Sequence, residues 1–270
     1  MGEILIGTSG YSYDDWIGPV YPEGTHRSEF LPLYSRRFAF TELNFTYYRQ
    51  PTGDSLRAIA LKTDPRFRFT IKAYRALTHD RESGWQREAE RFAEAARALQ
   101  SVTHPDADRQ HIDQLTGVLL QFPYSFHYID ESRRYLASLS DALTPLPLFV
   151  EFRNAEWDHA SVWNEMERRG LGLVVPDLPR LDGLPRTPAR LTASAGYIRF
   201  HGRNARNWWQ GTNVTRYDYL YSESELAEWI GPIGDLSAQS ETLVIAFNNH
   251  FNGQAVVNAE QLRMMLSATP

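Results

Sequence analysis

Glu42 and Glu151 each close a short apolar run, Phe38-Ala39-Phe40 and Leu148-Phe149-Val150, and face one another if both runs are strands of one barrel. Glycosidases use such a facing carboxylate pair as acid and base or nucleophile. Lys72 closes a third run, Phe69-Thr70-Ile71. Cationic neighbours would depress the pKa of its amine and fit it for a Schiff base, whereas a bridge to Glu42 or Glu151 would keep it protonated. Arg199, His201 and Arg203 alternate along a further run and share one face if that strand continues. The imidazole is suited to acid or base work, and guanidinium groups recognise phosphate or carboxylate in bidentate fashion. With Arg49, Lys72 and Arg153 these arginines make a cationic cleft in a chain of net charge −5. The competing reading is structural, because buried charges are nearly always paired and Glu42, Glu151 and Asp177 are at hand.

Other polar residues collect at the same run ends. Ser9 lies in Gly7-Thr8-Ser9-Gly10, whose backbone N–H groups could face an anion, although no Gly-Lys-Ser/Thr follows to make a nucleotide-binding P-loop. Asn44, Gln121, Asn248 and Asn249 supply amide donors and acceptors, and one of the last two must point away from the barrel axis. His250 is a second imidazole, but neither an HExxH motif nor a closely spaced ligand triad accompanies it, so the sequence implies no metal and no cofactor. Tyr13, Trp16 and Trp157, with Tyr11, Tyr48, Trp208 and Tyr217, could stack a sugar or base, or simply pack the loop layer.

The elements that must position these residues follow one rhythm. Eight apolar runs, around Ile4, Phe38, Phe69, Val118, Leu148, Leu173, Tyr197 and Leu243, each end on a residue that can bind or react, and helix-like stretches separate most of them. That pattern predicts an α/β fold of the TIM-like (β/α)8 type, with parallel strands whose C-terminal ends surround a single polar mouth. Helices are expected over 28–38, 54–62, 83–103, 130–143, 159–169, 222–230 and 255–266, with Asp54 capping the second and Gly170 ending the fifth. After strand six the prolines and glycine between Asp177 and Ala195 predict an irregular connection. The loop from Phe200 to Tyr219, carrying Trp208, Trp209 and three arginines, has the length of a lid or binding loop.

Composition sets the outer limits. A chain of 270 residues with 42% hydrophobic content suits one barrel domain over 1–270. The absence of cysteine excludes disulfides, thiolate nucleophiles and cysteine ligands. With no signal-like start and no long apolar stretch, a cytoplasmic protein without a membrane partner is expected. Of 28 basic residues only Lys62 and Lys72 are lysines, which singles out the one at a strand end.

In order along the chain, several motifs resemble the YecE-like family, proteins carrying domain of unknown function 72 (DUF72). They are Gly7-Thr8-Ser9-Gly10 with Tyr13, Trp16, Gly18, Tyr21 and Pro22; Glu42-Leu43-Asn44 with Thr46, Tyr48, Arg49 and Pro51; Lys72; and Thr78-His79. Next come Gln121-Phe122-Pro123 with Phe126, Glu151-Phe152-Arg153 with Trp157, Tyr197 to Arg203, and Phe247-Asn248-Asn249-His250 with Gly253, Ala255 and Asn258. One departure is Tyr11, where the family often carries Trp. The resemblance implies a TIM-like barrel and brings no established activity. From the residues themselves, the expected function is acid/base, hydrolytic chemistry on a small phosphorylated or nucleotide-like anion. Glu42 or Glu151 would be the base, His201 the acid, and Arg153, Arg199 and Arg203 the clamp. The alternatives are a non-catalytic module binding single-stranded nucleic acid or a nucleotide, and a Schiff-base lyase acting through Lys72.

Overall fold

In the computed structural model, which describes residues 2–105 and 110–268, the eight runs become eight parallel strands of a closed barrel. These are β1 (Glu3–Ser9), β2 (Phe40–Leu43), β3 (Arg68–Lys72), β4 (Leu115–Gln121), β5 (Leu148–Glu151), β6 (Gly172–Asp177), β7 (Ala195–Phe200) and β8 (Thr242–Phe247). They stand around the ring in chain order, and β1 closes on β8 in register from Glu3 against Thr242 to Thr8 against Phe247. The helices outside the ring include α1 (Phe30–Tyr34), α2 (Gly53–Ala60), α3 (Trp85–Arg97), α4 (Asp130–Leu143), α5 (Ala160–Arg169), α6 (Ile230–Gln239) and α7 (Gln254–Ala268). The architecture is TIM-barrel-like. As the prolines require, residues 178–194 between β6 and β7 contain no helix. Among the described residues no helix is long and apolar enough to cross a membrane.

Several boundaries differ from the sequence expectation for local reasons. Helix α2 is capped by Thr52, whose hydroxyl accepts from Ser55 N at 3.2 Å, while Asp54 lies inside the first turn and pairs with Arg57. The stretch expected as one helix over 83–103 stops at Arg97, and Val102–Thr103 instead pairs antiparallel with His111–Ile112. The helix expected over 222–230 is a single turn, Glu223–Ala227, followed by the separate α6. Gly170 does end α5, at φ 64°, a left-handed conformation favourable to glycine.

Inside the ring, Leu5, Phe40, Leu119, Phe149, Val174, Tyr197, Val244 and Ala246 form an apolar cluster. Strand side chains alternate between faces, so the inward residues two positions beyond Phe40, Leu119, Phe149, Tyr197 and Ala246 are Glu42, Gln121, Glu151, Arg199 and Asn248. The polar layer of the mouth is thus the next storey of the barrel interior. Phe149 fills the storey below because its two neighbouring strands present glycine. A Cβ built at Gly117 or Gly172 would fall 2.6 Å from the Phe149 ring. Gly172→Ala should therefore overpack the interior and cost about 1–3 kcal/mol, read as a lower urea midpoint. An unchanged midpoint would show that the Phe149 ring is free to move away.

Candidate functional site

The floor of the mouth is an ion-pair network centred on Arg199, which β7 carries into the barrel. Its Nη2 and Nε donate to the two oxygens of Glu42 at 2.7 and 2.9 Å, and its Nη1 donates to Glu151. Glu42 also accepts from the hydroxyl of Tyr197, one storey below. All four side chains are almost completely buried. Ser9 sits beside them, its Oγ 3.4 Å from Arg199 Nη2. Arg199 is therefore fully engaged by protein carboxylates and is not free to clamp a ligand, contrary to the role its residue type suggests.

Glu151 serves three partners. Besides Arg199 it meets Arg153 Nε at 2.5 Å and His201 Nε2 at 3.1 Å. Burial raises its pKa, yet the charges of Arg153, Arg199 and His201 outweigh that and hold the carboxyl well below the usual range. His201 is completely buried, and Asn248 Nδ2 approaches its Nδ1 at 3.0 Å. The pairing fits a neutral ring that accepts from Asn248 at Nδ1, with the Arg153 Nη2 3.3 Å from its Nε2. Burial and then Arg153 push the His201 pKa down to about 3, with Glu151 opposing. At neutral pH this imidazole has no acidic proton of ordinary strength to give, so it does not fit the expected role of acid. Neither Glu151 nor His201 lines the open cavity.

Lys72 is placed differently. Its Nζ donates to Gln121 Oε1 at 2.8 Å and lies 4.5 Å from the centroid of the Tyr47 ring. Among the described residues it forms no ion pair with a carboxylate, so of the two alternatives the bridge to Glu42 or Glu151 is not made. Burial, followed by the repulsion of Arg199, pushes its pKa down to about 7. On the π-type turn after β3, His79 shares the cavity and packs edge-on against Tyr47 at 4.8 Å. Burial and the Lys72 charge take its pKa to about 4.

Above this floor opens a cavity of about 520 Å³, reached by side chains from residue 10 to residue 250. Of the residues singled out from sequence, it brings together Tyr13, Glu42, Asn44, Lys72, Gln121, Arg153, Arg199, Asn248 and His250. Tyr13 stacks on His250 with ring centroids 4.5 Å apart. It reaches across Gly10, which turns the chain out of β1 at φ 93° where a Cβ would meet the Tyr13 hydroxyl at 2.7 Å. Trp208 lies under two guanidinium groups, Arg153 at 5.8 Å and Arg216 at 5.7 Å.

The remaining expected residues have structural places. Trp16 donates to His250 O at 2.7 Å, and Trp157 is buried in a stack with Phe126 and Phe152, donating to Phe126 O. Asn249 points away from the axis and holds Tyr219 O and Asn258, as one of the two asparagines had to. Arg49 is exposed and outside the cavity lining. Arg203 turns to Asp177 at 2.7 Å and Glu228 at 2.9 Å, so it anchors its loop rather than facing the mouth. Sequence reasoning passed over His79, Tyr47 and Arg216. His79 stood in the Thr78-His79 motif and Arg216 in the long arginine-bearing loop, but neither lies on a strand end, the signal that drew attention to the others.

Two consequences can be measured. Arg199→Met leaves two buried carboxylates without their shared cation and should cost about 3–5 kcal/mol, seen as a large drop in urea midpoint; a loss near zero would mean the carboxylates find other partners. The second concerns acid. The unfolded chain takes up the His201 proton below its ordinary pKa of 6.5, whereas the native protein does so only near 3. In that window the unfolded state binds more protons, so His201 makes stability fall as pH is lowered from 6.5 toward 3. His201→Gln should flatten the stability profile there by up to about 1.4 kcal/mol per pH unit, and a profile parallel to that of the parent protein would contradict this.

The geometry has relatives. The family profile described as "Protein of unknown function DUF72" matches residues 5–270. UPF0759 protein YunF of Bacillus subtilis is 29% identical over 275 residues, covering 97% of this chain and 94% of its own. The crystal structure of a DUF72 family protein (TM1631) from Thermotoga maritima is similar at a TM-score of 0.86 and 36% identity, covering 98% of this chain and 99% of that one. That of a DUF72 family protein (EF0366) from Enterococcus faecalis shares the fold at a TM-score of 0.81 and 23% identity, covering 99% of this chain and 96% of that one. A full-length family match and a relative above 30% identity, on the same barrel, place the chain in the DUF72 family of proteins of unknown function.

Proposed function

We propose that the barrel mouth binds a small phosphorylated or nucleotide-like anion and that the protein performs acid/base chemistry on it. The observation that carries this reading is a charge imbalance at the cavity. Both buried carboxylates of the floor are shared with Arg199, while Lys72 and Arg216 face the same space with no carboxylate partner among the described residues. Arg153 joins them at the edge, although it shares Glu151. Two guanidinium groups held on Trp208 suit a phosphate better than point charges do, because their planar forks donate in pairs. The aromatic wall of Tyr13, Tyr217 and Trp208 offers flat surfaces for a sugar or base.

The assignment of roles shifts accordingly. The clamp is Arg153 with Arg216, in place of Arg199 and Arg203. The group able to exchange a proton inside the cavity near neutral pH is Lys72, while His79, its pKa pushed down to about 4, stays a neutral imidazole there. Glu42 contributes by holding Arg199, which in turn weakens the hold of Lys72 on its proton.

A second reading has its own support at the rim, where Tyr48 is 68%, Trp209 48% and Tyr124 43% exposed. Exposed aromatics beside a cationic mouth are a platform for the bases of single-stranded nucleic acid. One titration separates the two. Inorganic phosphate, a nucleoside monophosphate and a short labelled oligonucleotide are each added to the parent protein and to Arg216→Gln. The enzyme reading expects saturable binding of the monophosphate, weakened about 10-fold or more by the substitution. Tight, steeply salt-dependent binding of the oligonucleotide alone would favour the second reading. If no anion binds to either protein, both readings fall.

A further inference from the structure

We propose that Lys72 is a nucleophile that forms an imine with a carbonyl compound bearing a phosphate or carboxylate group. The proposal rests on the anion-binding reading only for how the substrate's charged end is held.

Lysines drawn into a barrel for structural reasons are ordinarily paired with a carboxylate, and two carboxylates lie in the same storey. Lys72 is bonded to neither. Its hydrogen-bond acceptor is the neutral amide of Gln121, and that amide is held in place because Gln121 Nε2 donates to Phe122 O at 2.9 Å. Arg199 meanwhile occupies Glu42 on both oxygens and reaches Glu151 as well. The nitrogen of this half-buried side chain is therefore hydrogen-bonded to an amide oxygen and open to a cavity that Arg153 and Arg199 also line. Burial and cationic neighbours are the two means by which proteins keep a lysine amine unprotonated and reactive. Its pKa, pushed down to about 7, agrees with that placement.

The step needs only the Lys72 amine, the carbonyl compound and a proton from solvent. The unprotonated Lys72 nitrogen attacks the carbonyl carbon, the C–N bond forms, and the carbonyl oxygen takes up a proton to give a carbinolamine. Loss of that oxygen as water, with one proton drawn from solvent overall, leaves a protonated imine. The proton comes from solvent in the open cavity, and Arg153 and Arg216 hold the phosphate or carboxylate. No oxidant, reductant or metal is needed. The iminium carbon would then withdraw electrons from its neighbours, which is what carbon–carbon lyases and decarboxylases of the lysine type require.

The test uses the full-length protein with dihydroxyacetone phosphate, pyruvate or uncharged dihydroxyacetone in the presence of cyanoborohydride, followed by peptide mass spectrometry. The expected result is one reduced adduct on Lys72, formed with at least one anionic carbonyl about 10-fold or more faster than on the exposed Lys62. The phosphate and pyruvate arms show which anionic group the site takes. Lys72→Met should abolish the adduct. Gln121→Glu supplies the missing carboxylate, so in protein that still folds it should slow trapping about 10-fold or more, because the amine stays protonated. Lys72 unmodified, or modified no faster than Lys62, overturns the proposal, as does an unaltered trapping rate in a folded Gln121→Glu protein. Equal trapping by dihydroxyacetone and its phosphate would uphold the imine and remove the anion clamp. Binding of the anions without any adduct on Lys72 would uphold the clamp and remove the imine.

Discussion

Everything in the mouth depends on how one buried guanidinium is neutralised. Arg199 stands on the axis side of β7, almost completely buried, and its charge is tolerable only because Glu42 from β2 and Glu151 from β5 converge on it. The pairing ties three strands from different parts of the ring. It also determines what the other charges can do. A carboxylate that serves Arg199 is not available to Lys72, so the lysine rests on an amide and an aromatic ring. A second guanidinium, Arg153, takes the remaining lobe of Glu151, and the imidazole between them has no reason to protonate. The network is thus a structural ion-pair cluster and, by exhausting the local carboxylates, the source of the cationic cavity above it.

The loops repeat the same logic on a smaller scale. Asp177, at the end of β6, is buried and accepts from Arg203, the Tyr221 hydroxyl and Trp229 Nε1. Asn258 on α7 receives Asn249 and Tyr221 N on its side-chain oxygen and donates to Tyr221 O. These buried polar contacts pin both ends of the segment that follows β7, and so fix where Trp208 and Arg216 enter over the cavity. Trp208 packs with Leu178 and Leu184 from the helix-free connection after β6 in a small cluster separate from the barrel core. The irregular connection and the long loop therefore support each other, and neither would hold its shape over the mouth alone.

Membership of a family without a known activity makes the site chemistry the informative part of the molecule. The barrel is shared with a relative at 21% identity and carries no functional message by itself. What can be argued is the inventory at one cavity: an amine without a counter-ion, two guanidiniums on one indole, two imidazoles of lowered basicity and a wall of tyrosines. That inventory is what the proposed anion binding and the proposed imine chemistry draw on.

Much of this was legible without coordinates. Strand periodicity puts alternate residues on one face, so the apolar runs and their polar ends already assigned Glu42, Lys72, Gln121, Glu151, Arg199, His201 and one of Asn248 and Asn249 to one mouth, and the prolines after Asp177 already denied that connection a helix. Local pattern could not tell which cations the carboxylates would choose, because the choice depends on side chains from strands more than a hundred residues apart meeting at distances of a few ångströms. Hence Arg199 and Arg203, suited by type to a ligand, are taken by Glu42, Glu151 and Asp177, whereas Lys72, for which a carboxylate bridge and a free amine were both open, rests on Gln121. His79, Tyr47 and Arg216 lie on turns and loops, where no periodicity announces direction, and only closure of the chain over the barrel brings them to the cavity. The sequence by itself determined the barrel and the storey in which chemistry must sit. The tertiary structure decided which charges there remain uncompensated, since burial makes the cost of each unpaired charge depend on the nearest few atoms rather than on residue type.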